Sequence, residues 1–212
     1  ATEKLLSAYL EAGKYMEKSA EAFSQQAEVL KSLTSDGESL NKGSQVKAID
    51  ALRMFTSTSD VSFETDNETT TTAVNDVLLE PDAVLAVANT LSNLLSGSVL
   101  QEPSAGDAEE EVAKMSSTLS GAANLVGKSL LADVVPGEPK VELHVGSLKF
   151  GLTRIEKANY NKTHLFDVST ESLSAISFVN TFSFGSKTNA SYVDVQVLRW
   201  GKNPYVFLVG VL

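Results

Sequence analysis

Hydrophobic residues recur along this chain at two periods, and the change from one to the other divides it. From Leu5 the spacing is three and four. Leu5, Tyr9, Ala12, Met16, Ala20, Phe23, Ala27 and Leu30 fall on one face of a helix, with Glu and Lys filling the other. Thr34-Ser35-Asp36-Gly37 ends this first helix. With only about four heptads and several Ala at seam positions, a bundle helix is favoured over a coiled coil. Ser44 is placed to cap a second helix through Val46, Ile49, Leu52, Met54 and Phe55. Residues 58–72 read as a polar loop.

Glu80-Pro81-Asp82 signals a third helix, since proline suits a first helical turn, and Val84, Leu85, Val87, Ala88, Leu91, Leu94 and Leu95 form its apolar face. Ser96-Gly97-Ser98 closes it. A fourth helix begins near Asp107, Glu109, Glu110 and Glu111, carboxylates that meet the positive end of the helix dipole. Val112, Met115, Leu119, Ala122, Val126 and Leu130 continue its stripe.

Pro136-Gly137-Glu138-Pro139 marks the boundary, and beyond it the period falls to two. Val141, Leu143 and Val145 alternate with Glu142 and His144. Gly146-Ser147 reads as a bulge or tight turn, and Leu148, Phe150 and Leu152 alternate again. Further strands are expected at 164–169, 174–184, 191–199 and 205–212. The expected fold is therefore α+β: a helical bundle subdomain over 1–135, a hinge at 136–140, and an antiparallel β subdomain, sandwich-like, over 141–212. The strand-like run that stops at Leu212 implies a piece of a longer chain, its β part incomplete.

Charge follows the same division. Residues 1–140 carry 10 Lys and Arg against 22 Asp and Glu, while 141–212 carry 7 against 5. An acidic front half repels phosphate backbones and the back half has no basic cluster, so nucleic acid is not an expected partner. No apolar run approaches the roughly 18–20 residues needed to span a bilayer. Cysteine is absent, which removes disulfides, thiolate chemistry and Cys-type zinc sites together.

Candidate chemistry is sparse. Ala122 to Val126 followed by Gly127-Lys128-Ser129 fits a relaxed phosphate-loop pattern. That mechanism needs a strand before the loop and a new helix after it. Here a helical stripe precedes the match, so Gly127 with Lys128 reads as a helix C-terminal turn. The two histidines, His144 and His164, have no motif partner and read as sheet-surface residues. Asp60, Glu64, Asp66 and Glu68 could offer oxygens to calcium, but lack the glycine and terminal Glu of an EF-hand loop. No catalytic residue, cofactor or metal is expected. Three N-glycosylation sequons, at Asn67, Asn161 and Asn189, lie in expected loops or strand edges. In a chain this rich in Ser, Thr and Asn, about two such matches arise by chance.

The acidic helical half, the Pro-Gly-Glu-Pro hinge and the strand pair Val141–Val145 and Leu148–Leu152 belong to one outline. It continues with Tyr192-Val193-Asp194-Val195-Gln196-Val197-Leu198-Arg199-Trp200 and Asn203-Pro204-Tyr205. It resembles the autoproteolysis-inducing (GAIN) domain of adhesion receptors, especially the version in polycystin-like and egg-jelly-receptor-like proteins. That family's cleavage step is His-Leu followed by Thr or Ser. Here His164-Leu165 is followed by Phe166, so no cleavage residue is carried over. The resemblance implies an extracellular, glycosylated, non-catalytic module of a larger cell-surface or ciliary membrane protein. Its partners would be other proteins or other domains of the same chain. The alternative is a subunit of an extracellular filament or adhesion assembly that docks through its N-terminal helix.

Overall fold

The computed structural model describes residues 2–15, 19–56, 78–96, 108–156, 177–182 and 192–200. The first expected helix is in fact two: α1 (Thr2–Gly13) and α2 (Ala20–Leu33). After Gly13, turn hydrogen bonds from Lys14 N to Glu11 O and from Tyr15 N to Ala12 O end α1. Ser19 then takes an extended backbone (φ −109°, ψ 157°), and its side chain accepts from Ala22 N, capping α2. The break also shifts the phase of the apolar stripe. Leu6 is buried, whereas Leu5 is 56% exposed. A three-four spacing read continuously across residues 14–19 therefore chose the wrong leucine.

Thr34 ends α2 as expected, its hydroxyl donating to Leu30 O at 2.9 Å. After a single 3-10 turn (Gly37–Ser39), α3 runs Lys42–Thr56. Its cap is Asn41, whose Oδ1 accepts from Ser44 N at 2.8 Å. Ser44, expected as the cap, is itself buried inside the first turn. Two longer helices, α4 (Pro81–Ser96) and α5 (Ala108–Leu130), lie where the sequence places them.

The four strands β1 (Val141–Val145), β2 (Leu148–Glu156), β3 (Ser177–Phe182) and β4 (Tyr192–Trp200) form one antiparallel sheet in the order β1-β2-β4-β3. β1 and β2 are joined by the turn Gly146-Ser147, which settles the choice between bulge and turn. The expected strands at 164–169 and 205–212 fall outside the described residues. So does any second sheet of a sandwich. The described sheet is instead layered on helices, α4 touching β1 and β2, and α5 touching β2.

The fold class is thus α+β, and the change of period is not a change of core. One buried cluster runs from Leu6, Leu30 and Leu52 through Leu91, Leu94 and Leu119 to Val145, Leu148, Phe150, Leu152 and Leu198. Helix α4 lies at its centre, against α2, α5 and the sheet. Ala83, Val84, Ala86, Val87, Ala88, Thr90, Leu91 and Ser92 are all buried, so α4 is covered on most sides rather than along one stripe. Its Leu85, counted in the apolar face above, is 44% exposed. Inward positions of β2 are Leu148, Phe150 and Leu152, which stand opposite Val145, Leu143 and Val141 of β1. Further along β2, Thr153 and Ile155 are buried too, at positions of the other parity, and Ile155 lies outside the shared cluster.

Candidate functional site

Polar side chains are buried in both layers, Gln26, Ser44 and Gln45 among the helices and Asp194 and Gln196 on the sheet, and the strongest contact is a charged pair between strands. Inward parity on β2 continues from Leu152 to Arg154, and β4 places Asp194 directly opposite. Arg154 donates from Nε to Asp194 Oδ1 at 2.6 Å and from Nη2 to Oδ2 at 2.9 Å, a two-pronged pairing of guanidinium and carboxylate. The side chains are 14% and 2% exposed. The remaining prong, Nη1, donates to the carbonyl of Val134 at 2.8 Å. The Arg154 guanidinium also lies over the Tyr192 ring, 4.4 Å from its centre. The hydrogen bond that Arg154 donates to Asp194 raises the Arg154 pKa above its ordinary value, against the lowering effect of burial.

Two further contacts join the sheet to the helices. Gln196, 3% exposed on β4, donates from Nε2 to the carbonyl of Ala123 on α5 at 3.3 Å. Gly127 lies one turn further along α5, and a Cβ there would collide with the Gln196 side-chain amide. On the other helix, Ser92 of α4 accepts from Ser147 N at 2.9 Å and lies 3.3 Å from the Ser147 hydroxyl. Gly146, at φ +51°, leaves room for the Ser92 Oγ; any side chain would be both strained and obstructed. The hairpin turn is thereby seated on α4.

Chemically this cluster binds and orients parts of the protein itself. Both Asp194 oxygens accept from Arg154, and three guanidinium donors are in use, so the pair is arranged as a structural clamp. Among the described residues, no group of three or more His, Asp or Glu side chains could hold a metal ion. Among them, too, no helix is long and apolar enough to cross a membrane.

The residues singled out from sequence are dispersed. Gly127, Lys128 and Ser129 all lie within α5, so the strand-loop-helix frame of a phosphate loop is absent there. As expected, Gly127 and Lys128 stand in the last turn of α5, which runs to Leu130, and Leu131 N donates to the Gly127 carbonyl at 3.1 Å. The glycine serves close packing against Gln196. The Ser129 hydroxyl accepts from Leu79 N at 2.9 Å and donates to Leu125 O at 2.9 Å, tying the entry to α4 to the end of α5. His144 is on the exposed side of β1, 3.8 Å from Glu142. His164, the acidic loop Asp60, Glu64, Asp66 and Glu68, and the sequons at Asn67, Asn161 and Asn189 lie outside the described residues.

Sequence reasoning missed Arg154 and Asp194. A signal existed for Arg154, which breaks the apolar parity of Leu148, Phe150 and Leu152; Asp194 alternates with Val193, Val195 and Val197 and reads from sequence as an outward position. A charge at a core-facing strand position calls for a partner. No family model matches the chain, and no curated protein matches it in sequence.

Proposed function

We propose that this chain is a non-catalytic, extracellular structural and interaction module of a larger cell-surface or ciliary membrane protein, of the GAIN kind. The reading rests on the resemblance set out above and on one structural observation that supports it. A helical layer precedes an antiparallel sheet, and the two share one buried core, crossed by the Gln196–Ala123 and Ser147–Ser92 hydrogen bonds. An arrangement in which the buried polar groups Gln196 and Ser92 join the two layers suits a module that holds parts of a longer chain together. Other domains of that chain, or other proteins, are its partners in this reading.

The test is the intact mass of the native protein before and after enzymatic removal of N-glycans. A polypeptide much heavier than 22.6 kDa that loses glycan mass is the expected result. A bare species of 22.6 kDa would rule the reading out.

A filament or adhesion subunit is the second reading. Leu5 on α1 and Val29 on α2, 56% and 49% exposed, are apolar positions that such docking could use. It differs in predicting concentration-dependent self-association, measurable by sedimentation velocity.

A further inference from the structure

In the connector between α5 and β1, residues 134–138 are hydrogen-bonded to the sheet through Arg154. Of residues 131–140 only Leu131 is buried; Val134 and Pro136 are half-buried and the others exposed. Apolar burial therefore anchors this segment weakly. Its own hydrogen bonds are mostly internal: Val134 N to Leu131 O, Glu138 N to Val135 O, and Val135 N to Glu138 Oε2. Among the described residues, the bonds that tie 134–138 to the sheet both end on Arg154. Its Nη1 donates to Val134 O at 2.8 Å, and its carbonyl accepts from Gly137 N at 3.2 Å. Gly137 reaches that position at φ +91°.

We infer that residues 134–138 form a strap whose hydrogen-bonded fastening to the sheet is Arg154, beside the half-buried Val134, and that the strap opens locally while the shared core stays closed. The asymmetry of the two attachments supports this. The core between α4, α5 and the sheet is built of many fully buried side chains, so it opens only with most of the molecule. The strap is held by the Arg154 main-chain carbonyl and by one guanidinium whose aim is set by Asp194 and Tyr192, and only the guanidinium is lost on substitution. Asp194 is thus a positioning residue for a contact it does not itself make. The strap is also the covalent path from the helical layer into β1. Its opening gives slack between the layers without exposing their core. The inference does not depend on the extracellular reading.

Hydrogen exchange on the intact chain tests it, in Arg154→Met, in the milder Arg154→Lys, and in Asp194→Asn. Arg154→Lys keeps the charge but loses the fork, and serves if the methionine variant folds poorly. In Arg154→Met and Arg154→Lys, the amides of Val135, Gly137 and Glu138 should exchange about tenfold faster or more, the scale of losing a hydrogen bond from a charged donor. Amides of α4 and of Phe150 to Leu152 should change clearly less in the same samples. Asp194→Asn should shift the strap amides in the same direction. Unchanged exchange in the strap, or one equal increase at every amide, overturns the inference.

Discussion

Charged pairs in two regions of this molecule carry very different weight. On the helices, Lys14–Glu11 and Lys31–Glu28 are exposed pairs three residues apart, and Lys47–Glu3 joins α3 to α1 with side chains 33% and 44% exposed. Within the sheet, between β2 and β4, Arg154–Asp194 has the same signs and similar lengths, but 14% and 2% exposure and a two-pronged geometry. Water competes for the first set and is excluded from the second. The lesson is that burial, and the cost of leaving one partner alone, decides the weight of a pair.

The largest expected effect follows from that asymmetry. Arg154→Met leaves Asp194 buried without its partner and should lower stability by about 3–5 kcal/mol in denaturant titration. Replacing both, Arg154→Met with Asp194→Leu, should cost less than the single change, because no unpaired charge remains. A double variant less stable than the single one would show that the pair contributes net stability, and the comparison would need redrawing.

Next in size is Gly146→Ala. The left-handed backbone alone costs about 1–2 kcal/mol, and displacing the Ser92 hydroxyl adds to it. A thermal midpoint within a degree of wild type would mean that the turn is not seated on α4 as described.

Tyr9→Phe probes a buried polar contact away from the sheet. The Tyr9 hydroxyl donates to Gln26 O at 3.0 Å between α1 and α2, and its loss should cost about 1 kcal/mol. Burial raises the Tyr9 pKa well above its ordinary value of about 10. The folded state therefore holds this proton more tightly than the unfolded chain. The contribution is whole below about pH 10 and declines as pH rises from there toward the folded-state pKa. Tyr9→Phe should lose less stability on raising the pH from 9 to 11 than wild type does, and an identical loss would count against the assignment.

Smallest of all should be Lys31→Ala, on the solvent face of α2. Its effect is expected within about 0.5 kcal/mol and to shrink with added salt. A loss as large as that of Tyr9→Phe would erase the distinction between the two regions.

Much of the architecture was legible in the pattern of residues, for reasons these elements make plain. α4 and α5 announce themselves through Pro81, the acidic first turn of α5 and unbroken apolar spacing, all of which are local. β1 and β2 do so through strict alternation around Gly146-Ser147. The failures were local as well. Ser19 could be read as one more polar position of a long helix, because a cap and an interior serine look alike until the backbone is seen. Asn41 and Ser44 are both good capping residues three positions apart, and only the hydrogen bond shows which one accepts.

By itself, then, the sequence determined the order of helices and strands, the change of period at Pro136–Pro139, the acidic character of the first part and the absence of thiol chemistry. These follow from spacing and composition, which act within a few residues of chain. Tertiary structure alone decided that the helices and the sheet share one core, that Arg154 meets Asp194 across 40 positions, and that Gly127 faces Gln196. The physical reason is that burial and partnership belong to pairs of surfaces. Whether a charge at an inward position is a fault or a clamp depends on what the facing strand, fixed by its register, brings opposite it.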